Sequence, residues 1–250
     1  MSNGNWFAKA KGKRSPRRVR AKKSVVSSLK RVLPVVGDKS IFVLGIDQAP
    51  TWTGFCGLYF DPHSHRGIEV IPAHGDEIDK ICLIKVITKG KNKSWPECSS
   101  SIVEYEEKID VMKKLFILQL RQREYITEEK EPLFFAVIES VYFQEYNVLK
   151  AMLKFQTVLA LAIRTICGYN CSIYEYTAAE AKSAVGAGRG KDLVTDRVNL
   201  LFGLDLPTKS NARTKTEYEQ YSHISDAIAL AKAFMDDALR CETNLFEGVE

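Results

Sequence analysis

Apolar and polar positions along this 250-residue chain fall into blocks whose period switches from strand-like to helix-like. Residues 41–46, Ile-Phe-Val-Leu-Gly-Ile, are an unbroken apolar run that stops at Asp47, the pattern of a short buried strand. Gln48-Ala-Pro50 supplies turn chemistry, 54–60 reads as a second strand, and Asp61-Pro62-His-Ser-His-Arg-Gly67 as a loop. Strand patterns at 68–71 and 81–87 extend this into an antiparallel meander, and 89–101 is a polar loop. Ile109, Met112, Phe116 and Leu120 recur at helical spacing and predict an amphipathic helix over 102–123. Residues 132–138 are a second strong buried strand, which also ends on a carboxylate, Glu139.

Beyond that point the chain alternates. Residues 147–166 read as a helix apolar on most sides, with Lys150 and Lys154 marking one polar edge. Such a helix must be covered on more than one side, by the sheet and by a second subunit. A strand at 172–176 leads into Thr177-Ala-Ala-Glu180, which has the form of a capping box and starts a helix. The loop Gly186-Ala-Gly-Arg-Gly-Lys191, a helix over 192–202 stopped by Gly203, a polar loop over 204–215 and a final helix over 217–237 complete the body. Three antiparallel strands followed by helix–strand alternation predict an α/β fold with a mixed sheet.

A hydrophobic share of 45% with 27% charged residues is that of a globular chain and excludes disorder throughout. No stretch approaches the roughly 20 apolar residues of a membrane span, and no secretory h-region is visible in the first forty residues. The six cysteines form no CxxC pair, so reduced, buried thiols are expected. Charge divides the chain more sharply. The net +5 is made of +11 in residues 1–40 and −6 in the remainder. The expected organisation is a basic flexible arm at 1–40, an acidic globular body at 41–240 and a short tail at 241–250. Arg17, Arg18 and Arg20 in the arm are suited to phosphate contacts with counterion release. An organellar targeting segment and a solubility tail are the alternative readings of the same composition.

Three acids occupy unusual places. Asp47 and Glu139 end the two buried strands, and Asp226 lies on the last helix, with His223 three positions before it. If the strands are neighbours, both acids emerge at one edge of the sheet, where α/β proteins usually bind ligands. The last helix can bring Asp226, with His223 one turn earlier, against that pair. Carboxylates gathered there would repel one another unless a hard cation joined them, and oxygen donors favour Mg²⁺, with Mn²⁺ as substitute. Two such ions about 4 Å apart can activate water and stabilise the leaving oxygen in phosphodiester hydrolysis. Taken singly, each acid is more simply a turn or cap residue. The constellation carries the reading.

Four segments, Gly45-Ile-Asp47, Ile138-Glu139-Ser-Val-Tyr142, Tyr174-Glu-Tyr-Thr-Ala-Ala-Glu-Ala-Lys182 and His223-Ile-Ser-Asp226-Ala-Ile-Ala-Leu-Ala231, resemble the RuvC Holliday-junction resolvases. The resemblance spans about residues 41–237, apart from an insertion within 61–131. It implies a ribonuclease-H-like mixed sheet flanked by helices, a homodimer, and metal-dependent symmetrical nicking of four-way DNA junctions, extending to other branched DNA. It places Asp47, Glu139, Asp226 and His223 on the family's metal site. It sets Lys182 on a basic residue near the scissile phosphate, Lys191 on a second one, and Tyr142, with Phe143 as competitor, on an aromatic that stacks on junction bases. The chain departs from the family in having Gln-Ala-Pro after Asp47 instead of Pro-Gly, a longer Asp47–Glu139 segment, and the basic arm. Longer chains of this type suggest a phage, viral or organellar branch, hence a cytoplasmic location, that of the host for a phage protein.

Other signals fail. Gly186-Ala-Gly-Arg-Gly-Lys191 is not a P-loop, since Val185 stands at the first Gly and Asp192 at the Ser/Thr position. Its glycines beside Arg189 and Lys191 instead let a loop approach a phosphate backbone. Positive charge beside the acidic centre is completed by Lys209, Arg213 and Lys215. His63-x-His65 with His74 reads as a polar loop, because a structural metal site needs a fuller ligand set. Two other functions compete: a non-catalytic junction- or nucleic-acid-binding relative of the fold, and an actin-like or sugar-kinase ATPase. The ATPase would need two domains where this chain has one Gly-Ile-Asp strand.

Overall fold

The computed structural model describes residues 33–34, 36–48, 52–71, 83–85, 110, 114, 120–125, 127, 131–140, 153, 156–157, 159–161, 163–164, 171–188 and 193–246. Six strands form one sheet: β1 (Ile41–Gln48), β2 (Trp52–Phe60), β3 (Ile68–Ile71), β4 (Leu83–Lys85), β5 (Leu133–Glu139) and β6 (Ser172–Tyr176). Three helices follow β6: α1 (Ala178–Ala184), α2 (Leu193–Phe202) and α3 (Lys215–Phe246).

The strand order is β3-β2-β1-β5-β6, with β4 also paired to β2. β1–β2 and β2–β3 are antiparallel, whereas β1–β5 and β5–β6 are parallel. This is the mixed sheet expected from the order of elements. One detail differs from a simple meander. β3 pairs with the Gly57 to Phe60 half of β2 and β4 with its Trp52 to Gly54 half, so both share one edge.

β1 is the central strand, and all eight of its residues are buried. Its unbroken apolar run follows from this position, since it is covered on both faces and paired on both sides. Complete burial of side chains such as Ile41, Leu44 and Ile46 stabilises the fold by about 1.5–3 kcal/mol each. On one face lies α3, which brings Phe234 against Phe135 of β5 and Tyr174 of β6, with ring centroids 5.1 and 4.7 Å apart. Tyr176 Oη donates to Asp237 Oδ2 at 2.8 Å and ties β6 to the same helix.

On the opposite face Tyr59 stacks on Tyr125, with centroids 3.8 Å apart, and Tyr125 Oη donates to Glu69 Oε2. The described positions between 153 and 164 are helical and include buried Leu159 and Ile163. There Gln156 Nε2 donates to Glu175 Oε1 of β6. Positions 110, 114 and 120–122 are helical as well, with Leu120 buried.

Two boundaries differ from the hydropathy pattern. Val36 and Ser40 are buried, and Leu133 N donates to the Ser40 carbonyl, so chain within the expected 1–40 arm already belongs to the core. At the other end α3 runs through to Phe246, past the expected limits at 237 and 240. The capping box at Thr177 forms as expected: Glu180 N donates to Thr177 Oγ1, and Thr177 N to Glu180 Oε2. Gly203 ends α2 in the left-handed region at φ 63°, which a residue with a Cβ adopts only with strain. Cys56 and Cys171 are free, buried thiols. Among the described residues no helix is long and apolar enough to cross a membrane.

Candidate metal-dependent active site

Neighbouring parallel strands bring the two strand-end acids together. The β1–β5 register runs from Ile41↔Leu133 to Ile46↔Ile138, which sets Asp47 and Glu139 at the same edge of the sheet. Both lie on the face covered by α3, because side chains alternate along a strand and Gly45, Val137 and Phe135 share that face.

α3 reaches this edge because the sheet has no side chains in its way. Gly54 is the register partner of Asp47, and a Cβ there would meet the His223 carbonyl and stand 2.9 Å from Ile224 N. A Cβ on Gly45 would meet the Ala227 carbonyl and stand 2.9 Å from the Ala231 Cβ. These two glycines let helix backbone rest directly on strand backbone, one reason for Gly within a buried strand.

The close approach delivers His223 to Asp47. Nδ1 of His223 lies 2.6 Å from Asp47 Oδ2, and Asp47 is only 5% exposed. An ionised carboxylate only accepts, so the ring donates from Nδ1 to such an Asp47 and leaves Nε2 as its second donor or acceptor. Asp226 follows on the same helix, half-buried, and its charge acts on Glu139. Lys182, half-buried on α1, acts on Glu139 in the opposite sense.

Glu139 registers the combined field. Burial, then the charge of Asp47 and a hydrogen bond to it, then the charge of Asp226, push its carboxyl from an ordinary 4.5 up to about 8; Lys182 partly offsets the rise. Its surroundings thus favour the protonated form of Glu139, which is hydrogen-bonded to Asp47. Among the described residues no three His, Cys, Asp or Glu side chains are already set as a ligand cage.

The donor set nevertheless fits a hard divalent cation. Three carboxylates and one imidazole lie near one sheet edge, and an oxygen-rich donor chemistry of this kind suits Mg²⁺ or Mn²⁺. A pH dependence follows. A carboxyl raised in the fold contributes stability that is full below pH 4.5 and lost as pH rises through about 8. Without metal, the melting temperature should therefore fall between pH 5 and 8 relative to Glu139→Gln, which carries no such charge. Saturating Mg²⁺ should remove most of that difference. Differential scanning fluorimetry with EDTA or Mg²⁺ across this range checks it, and parallel curves would refute the coupling.

The other expected site residues divide into two groups. Lys209, Arg213 and Lys215 are exposed on the loop before α3 and at its first residue. Lys215 pairs with Glu219 along the helix, and Arg213 lines an open cleft with Thr214, Thr216, Glu217, Gln220 and Tyr221. From Lys215 to His223 is about 12 Å along the helix axis. Arg17, Arg18, Arg20, Tyr142, Phe143, Arg189 and Lys191 lie outside the described residues. His63 Nε2 donates to the Asp38 carbonyl, and its loop is closed by the turn at Asp61, whose side chain accepts from His63 N. Gln48, expected to open a turn, instead continues β1 and is buried, because β2 still pairs with it at Thr53. The close-approach role of Gly45 and Gly54 is signalled in the sequence only by their place inside apolar strands.

No protein-family model matches the sequence, and no curated protein matches it. Solved structures do show similarity. Thermus thermophilus RuvC is 17% identical with a TM-score of 0.47, over 77% of this chain and 92% of that one. T. thermophilus RuvC in complex with Holliday junction substrate is 18% identical with a TM-score of 0.46, over the same shares of 77% and 92%. The yeast mitochondrial Holliday junction resolvase Ydc2 is 13% identical with a TM-score of 0.44, over 87% of each chain.

Proposed function

We propose that the chain is a metal-dependent, structure-selective DNA endonuclease that nicks four-way junctions and other branched DNA. The observation that carries this reading is the partly buried Asp47–His223–Glu139 cluster, with the charges of Asp226 and Lys182 acting on Glu139, at the edge where β1 and β5 end. Asp47, Glu139, Asp226 and His223 would hold Mg²⁺, two ions per site, or Mn²⁺ in its place. Bound there, the ions supply Lewis-acid activation of water and stabilisation of the leaving oxygen.

The remaining roles belong to side chains. Asp47 and Glu139 must both be ionised to act as ligands, so binding displaces the proton favoured on Glu139. His223 holds Asp47 in orientation through Nδ1. Lys182 lies close enough to oppose the negative field at Glu139, and the same charge stabilises a phosphate as negative charge develops on it.

Substrate contact is distributed over positive side chains at some distance from this centre. Exposed Lys209, Arg213 and Lys215 on the loop entering α3 are placed to meet phosphates, and the +11 of residues 1–40, including Arg17, Arg18 and Arg20, adds a salt-dependent contact. Arg189 and Lys191, outside the described residues, would add phosphate contacts, and Tyr142 and Phe143 are the aromatics proposed for unstacked bases. Leu153 and Leu161, both at helical positions, are exposed at 48% and 64%, apolar surface of the kind a homodimer would cover. Twofold symmetry then sets two sites on opposing strands of a junction. A cytoplasmic location, in a host cell for a phage-encoded chain, accords with work on replicating or recombining DNA.

The test is a cleavage assay at one salt concentration with Mg²⁺, comparing four-way junction, fork, flap and linear duplex. The expected result is paired nicks in the junction and intact linear duplex. Binding of the junction with no nick under Mg²⁺ or Mn²⁺ would instead identify a non-catalytic DNA-binding relative of the fold.

A further inference from the structure

The parallel ladder between the two acid-bearing strands ends one residue too early. It pairs β1 with β5 only as far as Ile46↔Ile138, whereas the acids follow at Asp47 and Glu139. On their outer sides both acids remain paired, Asp47 with Gly54 of β2 and Glu139 with Tyr176 of β6. Main-chain pairing thus ceases at the point where the spacing between the acids has to be set.

A side chain continues it. Gln48 Nε2 donates to the Glu139 carbonyl at 3.2 Å, bridging β1 to β5 just beyond the last ladder pair. Gln48 is 4% exposed, and its other amide atom, Oε1, is buried with no hydrogen-bond partner among the described residues. A buried acceptor left without a partner is costly, and this cost offsets part of what the bond to the Glu139 carbonyl contributes to stability. Strand alternation sends Gln48 to the face opposite Asp47, so it acts on the backbone under Glu139 without entering the acidic cluster.

We propose that Gln48 is a positioning residue that holds the Glu139 backbone in register with Asp47 and so sets the spacing of the two carboxylates for a divalent cation. This rests on the metal-dependent reading of the site.

The test replaces Gln48 by Met, which keeps length and loses donor and acceptor, with Gln48→Leu as a second variant. Mn²⁺ binding is followed by electron paramagnetic resonance, melting is measured in EDTA, and junction nicking is titrated with Mg²⁺. The metal-free melting temperature should change by only a few degrees, since loss of the bond to the Glu139 carbonyl is partly offset by removal of the unpartnered Oε1. Mn²⁺ affinity should fall about 10-fold, with the Mg²⁺ needed for half-maximal nicking rising by a similar factor and the saturated rate nearly kept. Unchanged Mn²⁺ affinity in both variants would overturn the proposal. Failure of the unaltered protein to bind Mn²⁺ would overturn the metal reading itself, and is distinguished by appearing before any substitution.

Discussion

Asp47→Asn should lower Mg²⁺-dependent nicking of a four-way junction by on the order of 10³-fold or more, since several kcal/mol of metal-assisted charge stabilisation is lost with the carboxylate. The substitution keeps the side chain's shape and removes its charge. Asp47 is where the loss acts most directly, because it is buried, touches His223 Nδ1 at 2.6 Å and is the largest single charge acting on Glu139. An amide cannot take the place of an ionised hard-cation ligand on equal terms. Junction affinity in EDTA should stay within about threefold of the unaltered value if, as proposed, phosphates are met by the exposed Lys209, Arg213 and Lys215 and not by the cluster. Gel-shift and cleavage assays on the same junction separate these outcomes. If binding and cleavage disappeared together in a variant with altered melting, Asp47 would be a structural residue.

The second large effect concerns packing. Gly54→Val should destabilise the protein by about 3 kcal/mol or more, because its branched side chain would enter the backbone of His223 and Ile224 and not a flexible side chain. In a chain of this size that corresponds to a fall of roughly 6–12 °C in melting temperature. Activity should fall further than stability accounts for, since relief of the clash requires α3 to lift and α3 carries both His223 and Asp226. Thermal melts together with cleavage at a temperature where the variant remains folded check both parts. A variant with unchanged melting and full nicking would show that the helix can shift without disturbing the site.

Both expectations trace to features that differ in how far they could be read from sequence. The apolar runs ending at Asp47 and Glu139 were legible because a strand buried on both faces admits only apolar residues until it emerges. The polar residue that ends such a run is then exposed to chemistry. The helix carrying His223 and Asp226 was legible from its period, and Thr177-Ala-Ala-Glu180 from the reciprocal hydrogen bonds that its spacing permits. The limits of the body were less so. Val36 is buried by contacts remote in sequence, and no local pattern around it distinguishes it from the basic arm that precedes it.

Local periodicity by itself therefore determined the order and type of the elements, the strand-end acids and the separation of a basic arm from an acidic body. Each of these depends on burial of a face or on the sum of charges, and both are written in short windows of residues. Tertiary structure alone decided which elements meet. It paired β1 with β5 in parallel, seated β3 and β4 on one edge of β2, and let α3 settle on Gly45 and Gly54 so that His223 reached Asp47. It also assigned Gln48 to the Glu139 carbonyl, 91 residues away. The physical reason is that register, close backbone approach and the burial that drives Glu139 up to about 8 are properties of groups brought together from distant parts of the chain.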